Sequence, residues 1–324
     1  MSTAPRLALV VTDVPELLAH EHDLEPLLAE LARQGVAAEA AVWHDPSVDW
    51  SAFDLIVMRC PWDYSLRTPE FLAWLDSLDA SRVLNPPELI KWNLDKRYLL
   101  DLEARGVSII PTTVASSLPE VRAAAGRIGG RIVIKPNIAA GSWGAHITSA
   151  DDPELAEYVA EILDAGKLVL VEPEVPEITA GGERGLLFFD GEYSHTISKG
   201  AILADDGGYI GGEYSEEIAA VMPTDAEIEL AADCSRAIAE ISAERGWGSG
   251  ASARPLYARY DVVTGADGPL LLEAELFEPS YFLETAPGSV ERAVRAMVGE
   301  IQAVASGPPK RIGGKKGCHG SANS

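Results

Sequence analysis

Two periods of apolar residues alternate along this chain, and each change of period marks an element. Arg6 to Thr12 is a near-continuous apolar run and predicts a buried strand. Leu24, Leu27, Leu28 and Leu31 fall at helical spacing, so Asp23 to Arg33 predicts a helix that ends at Gly35. Val36 to Trp43 and Phe53 to Arg59 predict two further strands, and Arg82 to Leu84 a short one. Thr68-Pro69-Glu70 reads as a cap, a first-turn proline and an acid, opening a helix through Asp79. Asn93 reads as the cap of another helix, which ends at Gly106. Alternating strand and helix imply a mainly parallel sheet covered on both faces, in a first unit that ends near Ile110. No Gly-x-Gly-x-x-Gly turn follows the first strand, so the dinucleotide fingerprint is absent.

A smaller unit starts at Val107 to Val114. Arg131 to Pro136 predicts a strand with Lys135 near its end, leading into the small-residue loop Asn137 to His146. Lys167 to Val171 predicts a strand, and the two prolines of Glu172-Pro173-Glu174-Val175-Pro176-Glu177 suggest a hinge. Leu186 to Phe189 and Tyr193 to Lys199 flank Asp190-Gly191, a hairpin turn. Ala201 to Gly212 reads as a mobile loop, and Asp225 to Arg245 as a long helix. Val290, Val294, Met297, Ile301 and Val304 form one stripe of a last helix from about Ser289.

The chemistry concentrates between Tyr257 and Ser280. Thr264 to Gly268 is turn-forming and joins two apolar runs, so the stretch predicts an antiparallel hairpin. Strand side chains alternate faces, which puts Glu273 and Glu275 on one face and Leu272, Ala274 and Leu276 on the other. Asp261 lies opposite the two glutamates if the strands pair across that turn. Three carboxylates repel one another unless a cation joins them, and hard oxygen ligands suit magnesium shared with substrate phosphates. Alone, the hairpin is better read as a solvated strand face; motifs elsewhere reverse that preference.

Arg59 ends a strand, where open parallel sheets bind ligands. Two readings stand for it: a two-pronged grip on a substrate carboxylate, or an ion pair with Asp63 or a neighbour. Cys60 reads as a small buried hydrophobe. Lys96 alone reads as a surface lysine. Lys135 with its glycine loop suits phosphate oxygens approached by backbone N–H groups, yet a plain hairpin loop looks much the same, and no Walker loop is present.

Composition narrows the field. A chain of 324 residues, 47% hydrophobic and 23% charged, can bury a sizeable core. A net charge of −24 argues against nucleic acid as a partner. The longest apolar runs fall short of a membrane span, and the N-terminus enters a strand with no signal-peptide pattern. Cys60, Cys234 and Cys318 make neither a zinc spacing nor a disulfide framework, which points to a reducing cytoplasm. Cys318-His319, in the Gly/Lys/Ser-rich segment Gly307 to Ser324, makes a poor metal site. The oligomeric state stays open, with a homodimer as one option.

In their order along the chain, these motifs resemble the ATP-grasp ligase superfamily. The matching elements are Asn-x-Asp-Lys (Asn93 to Lys96), Ile134-Lys135-Pro136, a Gly-Ser-Trp-Gly loop, Val171-Glu172-Pro173, Arg259-Tyr260-Asp261 and Glu273-x-Glu275. Arg59 with Trp62-Asp63-Tyr64, Asn85 to Glu88, Lys96 to Leu100 and Glu275 to Ser280 bring it nearest the glutathione-synthetase-like branch that includes the ring-closing ligase of O-ureido-serine. The resemblance implies an α/β ATP-grasp fold. Its three domains are an N-terminal Rossmann-like domain at 1–110, a central subdomain at 111–172 and a metal-binding subdomain at 173–306, followed by a disordered tail at 307–324. It also implies ATP and two magnesium ions as cofactors and a small amino-acid-like acid as substrate. By resemblance Lys96 and Lys135 touch ATP phosphates, and Gly141, Ser142, Trp143 and Gly144 close over them. Glu172, Glu174 and Val175 border the adenine, and either Glu177 or Glu183 holds the ribose. Asp261, Glu273 and Glu275 hold the metals, the last at a position that is commonly asparagine. Arg259 and Lys199 face the transferred phosphate. The segment Gly200 to Tyr214 departs from the cyclo-ligase pattern, so an intermolecular, dipeptide-type ligase remains an alternative. A small-molecule phosphotransferase is an alternative of another class.

Overall fold

The parallel sheet predicted for the first third of the chain is present. A computed structural model describes residues 4–141, 143–180, 182–200, 218–247 and 254–306. Ser142, the segment Ala201 to Gly212 expected as a mobile loop, and the segment after Ser306, with Cys318 and His319, lie outside the described residues. The first unit comprises β1 (Arg6–Val11), α1 (Pro15–Leu18), α2 (Leu24–Arg33), β2 (Ala37–Val42), β3 (Leu55–Cys60), α3 (Thr68–Ser77), β4 (Val83–Leu84), α4 (Pro87–Leu94) and α5 (Tyr98–Glu103). Its strands are parallel in the order β2-β1-β3-β4. β3 is buried at every position, and β1 at all but its first, which is why both read as continuous apolar runs.

Two helix starts differ from the sequence pattern. Thr68 is the first residue of α3 rather than its cap, and its hydroxyl donates back to the Tyr64 carbonyl at 3.1 Å. Asn93 does not open a helix but lies in the last turn of α4, which starts at Pro87. The chain is extended at Asp95 and restarts as α5. That break frees the Lys96 N–H to donate to the Asn137 carbonyl at 2.8 Å, while the Asn93 side chain is used elsewhere.

The middle unit holds β5 (Thr113–Ala115), α6 (Leu118–Ile128), β6 (Arg131–Pro136), β7 (His146–Ser149), α7 (Leu155–Asp164) and β8 (Val169–Pro173). Its sheet is antiparallel, in the order β5-β8-β6-β7. Val121, Ala124, Ile134, Leu155, Val159, Ile162 and Val171 make a core that belongs to this unit alone.

The last unit holds α8 (Pro176–Thr179), β9 (Glu183–Phe189), β10 (Glu192–Lys199), β11 (Ile218–Val221), α9 (Asp225–Arg245), β12 (Tyr257–Gly265), β13 (Gly268–Glu275) and α10 (Ser289–Ser306). Its sheet is antiparallel in the order β11-β10-β9-β12-β13. Asp190 and Gly191 both have positive φ, 51° and 76°, as the tight turn between β9 and β10 demands. Thr224 and Glu227 form a reciprocal capping box at the start of α9, and Gly246 ends that helix at φ 74°.

The hairpin pairs Arg259 with Glu275 and Asp261 with Glu273. A bulge then shifts the register, so that Val262 pairs with Leu271. As a result Leu271, not Leu272, is fully buried beside Ala274 and Leu276.

The first and last units share their interiors. On one side Leu89, Tyr98, Leu99 and Leu102 meet Ile238, Ile241, Tyr260 and Leu276. On the other, Leu7, Leu27 and Leu31 meet Leu187, Tyr257, Met297 and Ile301. Both sets are buried apolar surface, the main favourable term in holding the units together.

Thr224→Ala removes the hydroxyl that accepts from the Glu227 N–H. The expected cost is about 1 kcal/mol in urea unfolding, typical of a lost N-cap. An unchanged midpoint would show that the capping box does not hold α9.

Candidate functional site

The charged residues singled out in the sequence converge on β12 and β13. Asp261 is 2% exposed and grips Arg259 through two bonds, Nε to Oδ1 at 2.8 Å and Nη2 to Oδ2 at 2.9 Å. Arg259 Nη2 also donates to Glu275. Lys199, the last residue of β10, reaches Asp261 at 2.7 Å and Glu183 at 2.8 Å. Lys96 arrives from the break between α4 and α5 and donates to Glu273. The group therefore draws on both the first and the last unit.

Packing at this point is tight against a glycine. A Cβ at Gly185 would lie 3.1 Å from Arg259 Cδ, from Asp261 Oδ1 and from Ile197 Cδ1. Sequence reasoning passed over this residue, although a glycine inside an apolar strand is a signal of close approach.

Burial and charge work against each other here. Burial alone would raise the Asp261 carboxyl, but Arg259 and Lys199 outweigh it and hold it down at about 2. Burial also opposes ionisation of Glu273, and the Lys96 ammonium overcomes it and lowers that group. At Glu275 burial wins over Arg259, with the Asp261 charge adding to it, and lifts the carboxyl to about 7. Glu278 is raised to about 8 by burial and by the Glu275 charge. No sequence pattern marked Glu278 as part of this cluster.

A second group sits on the middle sheet. Lys135 and Glu172 pair at 2.9 Å, and Glu172 also accepts from the Thr112 hydroxyl at 2.9 Å. In the loop after β6, Gly141 and Gly144 have φ of 62° and 69°. Lys167 Nζ donates to the Ile138 carbonyl at 2.6 Å and lies 4.7 Å from the centre of the Trp143 ring, which is 37% exposed. Glu174 is turned away to Arg131 at 2.9 Å. The Val175 carbonyl accepts from the Ile178 N–H, Glu177 is exposed at the start of α8, and Glu183 is buried against Lys199.

Arg59 lies apart from both groups and has no exposed surface. Its Nε donates to Glu21 at 3.0 Å, Nη2 donates to the Pro279 carbonyl, and the guanidinium stacks 3.9 Å from the centre of the Tyr281 ring. The structure takes the ion-pair alternative, with Glu21 in place of Asp63, which instead accepts from Trp43 Nε1 at 2.9 Å. Cys60 beside it is fully buried, and burial pushes its thiol up to about 12, so it is no nucleophile.

Among the described residues, no three His, Cys, Asp or Glu side chains close into a cage for a metal ion. The donor set is all oxygen, and the Glu273 and Glu275 side chains keep 29% and 23% of their surface exposed. This chemistry fits magnesium that takes a few carboxylate oxygens and completes its shell with phosphate and water.

Arg259→Met leaves Asp261 and Glu275 without their shared cation. The expected loss is about 3–5 kcal/mol near pH 8, as for other broken buried pairs. In the wild type, Asp261 contributes stability above its ordinary range near 4 and loses it as pH falls towards 2. In the variant both carboxyls protonate more readily when folded, so the deficit shrinks on going from pH 8 to pH 5. Urea unfolding at the two pH values checks it, and an equal deficit at both would refute the account.

Comparison with known proteins agrees with this architecture. The family model of the N-terminal domain of D-cycloserine synthetase DcsG matches residues 7–85. The cycloserine biosynthesis protein DcsG of Streptomyces lavendulae is 36% identical over 306 residues, which span 91% of this chain and 99% of that protein. The crystal structure of D-cycloserine synthetase DcsG superposes with a TM-score of 0.81 at 34% identity, over 91% of this chain and 99% of that one. A RimK domain ATP-grasp protein from Sphaerobacter thermophilus shares the fold at a TM-score of 0.59 and 17% identity, over 91% of this chain and 98% of its own. With its three sheets in this order, and with that identity sustained over nine-tenths of its length, the chain belongs to the DcsG family of ATP-grasp ligases.

Proposed function

We propose that this protein activates the carboxylate of a small amino-acid-like acid with ATP and closes it on its own nitrogen, as a cycloserine-type cyclo-ligase. The observation that carries the reading is the convergence of Lys96, Lys199 and Arg259 with Asp261, Glu273 and Glu275 at one hairpin, in a member of this family. A carboxylate is a poor acyl donor at neutral pH. Moving the γ-phosphate onto it gives an acyl phosphate and ADP. Attack by a nitrogen then forms the amide-type bond and expels phosphate, and the overall product is one water lighter than the acid.

The chain's part is to hold charge and shape. Lys96 and Lys135 would contact phosphate oxygens of ATP, and Gly141, Ser142, Trp143 and Gly144 would close over them. Glu172, Glu174 and Val175 line the adenine side, the last two through their backbone. Glu177 is the better ribose ligand, because Glu183 is committed to Lys199. Arg259 and Lys199 face the phosphoryl group in transfer, where fixed positive charge stabilises the charge that develops. Asp261, Glu273 and Glu275 would hold two magnesium ions, which neutralise phosphate charge when bound. Closure of the glycine loop excludes water, so that the acyl phosphate meets the nitrogen first. Arg59 and Arg259 are the two candidates for holding carboxyl oxygens; Arg59 Nη1 is buried without a hydrogen-bond partner, whereas Arg259 is tied to Asp261 and Glu275. The departure of Gly200 to Tyr214 from the cyclo-ligase pattern favours a second reading, in which a separate amine attacks.

Glu273→Gln is expected to lower ATP turnover by about 10²-fold or more with the fold retained, on the scale of losing one transition-state contact. Wild-type turnover in that variant would remove Glu273 from the chemistry. Lys135→Ala is expected to weaken ATP binding about tenfold, near 1.4 kcal/mol, in a calorimetric titration. Equal affinity in variant and wild type contradicts the phosphate role. Mass spectrometry with ATP and candidate acids decides between the two ligase readings. Ring closure yields phosphate and a product one water lighter from a single acid. Phosphate release that needs a second amine, with a product mass equal to the sum of both less water, rejects ring closure.

A further inference from the structure

We propose that Asn93 is a positioning residue for the metal-binding strand: its carboxamide fixes the backbone on both sides of Glu275 and so sets the aim of Glu273 and Glu275. This rests on the reading of those glutamates as ligands of a divalent cation. Among the described residues β13 is the last strand of its sheet; its outer side bridges Ser108 and Ile110 at Leu271, and from Ala274 to Leu276 no strand pairs with that side. Asn93, 6% exposed, supplies what a neighbouring strand would. Its Nδ2 donates to the Ala274 carbonyl at 2.7 Å, and its Oδ1 accepts from the Leu276 N–H at 2.9 Å. The two partners fix which end of the amide is which, because a carbonyl needs a donor and an N–H an acceptor. Ala274 and Leu276 are the residues directly before and after Glu275.

Its neighbours complete the edge. The Ala274 N–H donates to the Tyr98 hydroxyl at 2.7 Å, and Asn85 Nδ2 donates to the Leu276 carbonyl at 2.5 Å. Among the described residues, only the Asn93 side chain bonds the backbone on both sides of the glutamate. A small backbone rotation at position 275 is magnified along a glutamate side chain, so a strand free to rock would carry the carboxylate out of reach of a shared ion. Asn93 also lies three residues before Lys96, whose ammonium donates to Glu273. One short segment therefore fixes the strand by its backbone and one of its glutamates by charge.

Asp and Ala at position 93 separate this role from plain packing. Asn93→Asp keeps the acceptor for Leu276 but sets a carboxylate against the Ala274 carbonyl, and Asn93→Ala removes both bonds. Thr224→Ala is the reference for destabilisation remote from the site. Mn2+ binding is read by electron paramagnetic resonance in the presence of a non-hydrolysable ATP analogue, with thermal melts confirming the fold. The expected result is an Mn2+ dissociation constant raised about tenfold by each Asn93 variant, in the range found when second-layer partners of metal ligands are lost. Thr224→Ala should leave it unchanged. If Asn93→Asp fails to fold, Asn93→Ala decides. Folded Asn93 variants that bind Mn2+ like the wild type overturn the inference alone, as does equal weakening by Thr224→Ala. A wild-type chain that binds no Mn2+ beside the analogue overturns the metal reading, and this inference with it.

Discussion

The two-pronged contact between Arg259 and Asp261 is the constraint on which the rest of the site depends. Taking a carboxylate out of water is costly, and the cost is recovered only when cations and hydrogen bonds meet it at close range. Asp261 meets that condition twice, through Arg259 on its own strand and Lys199 from β10. Arg259 then reaches on to Glu275, so three strands are tied by one set of charges. The same logic fixes details that look unrelated. A side chain at Gly185 would crowd the Arg259–Asp261 pair, which lies against β9. At Glu275, and at Glu278 beside it, burial outweighs the nearby cations and the carboxyls are pushed up.

A second ordering principle is how the interiors are divided. The middle unit has its own core, whereas the first and last units share two large ones and meet again where Phe277 joins a third, against which Ile138 and Ala140 of the middle unit also pack. The carboxylate strand is thereby fixed to the first unit by apolar burial and by Asn85, Asn93 and Tyr98. Contacts from the middle unit to the first include single polar bonds, such as Lys96 N–H to the Asn137 carbonyl and Lys167 Nζ to the Ser65 carbonyl.

Much of this was legible in the sequence, and the exceptions share a cause. The hairpin and its three carboxylates follow from period-two alternation about a turn, and Asp225 to Arg245 follows from its apolar spacing. Both signals are local. Asn93 misled because asparagine before an apolar run is a good cap, while its actual partners lie 181 and 183 residues away. Arg59 stayed ambiguous because its partner Glu21 is 38 residues distant in a stretch with no periodic pattern. Leu272 was assigned to the core because strict alternation has no place for the extra residue of a bulge. Gly185 was passed over although its signal was present, since a mid-strand glycine gains meaning only when its neighbours are known.

The shared cores also bear on how such a chain is made. Asp23 accepts from the N–H of Leu283, 260 residues later, and Leu7 and Leu27 wait for Met297 and Ile301. Contacts of that span close late, because the loop between them must be ordered first. During synthesis the middle unit can complete its core from residues 115 to 171 alone. The parallel sheet, although made first, keeps one apolar flank open until nearly the whole polypeptide has left the ribosome. The earliest segment is thus the last to be sealed, and over that interval the nascent chain depends on chaperones or on speed to stay out of aggregates.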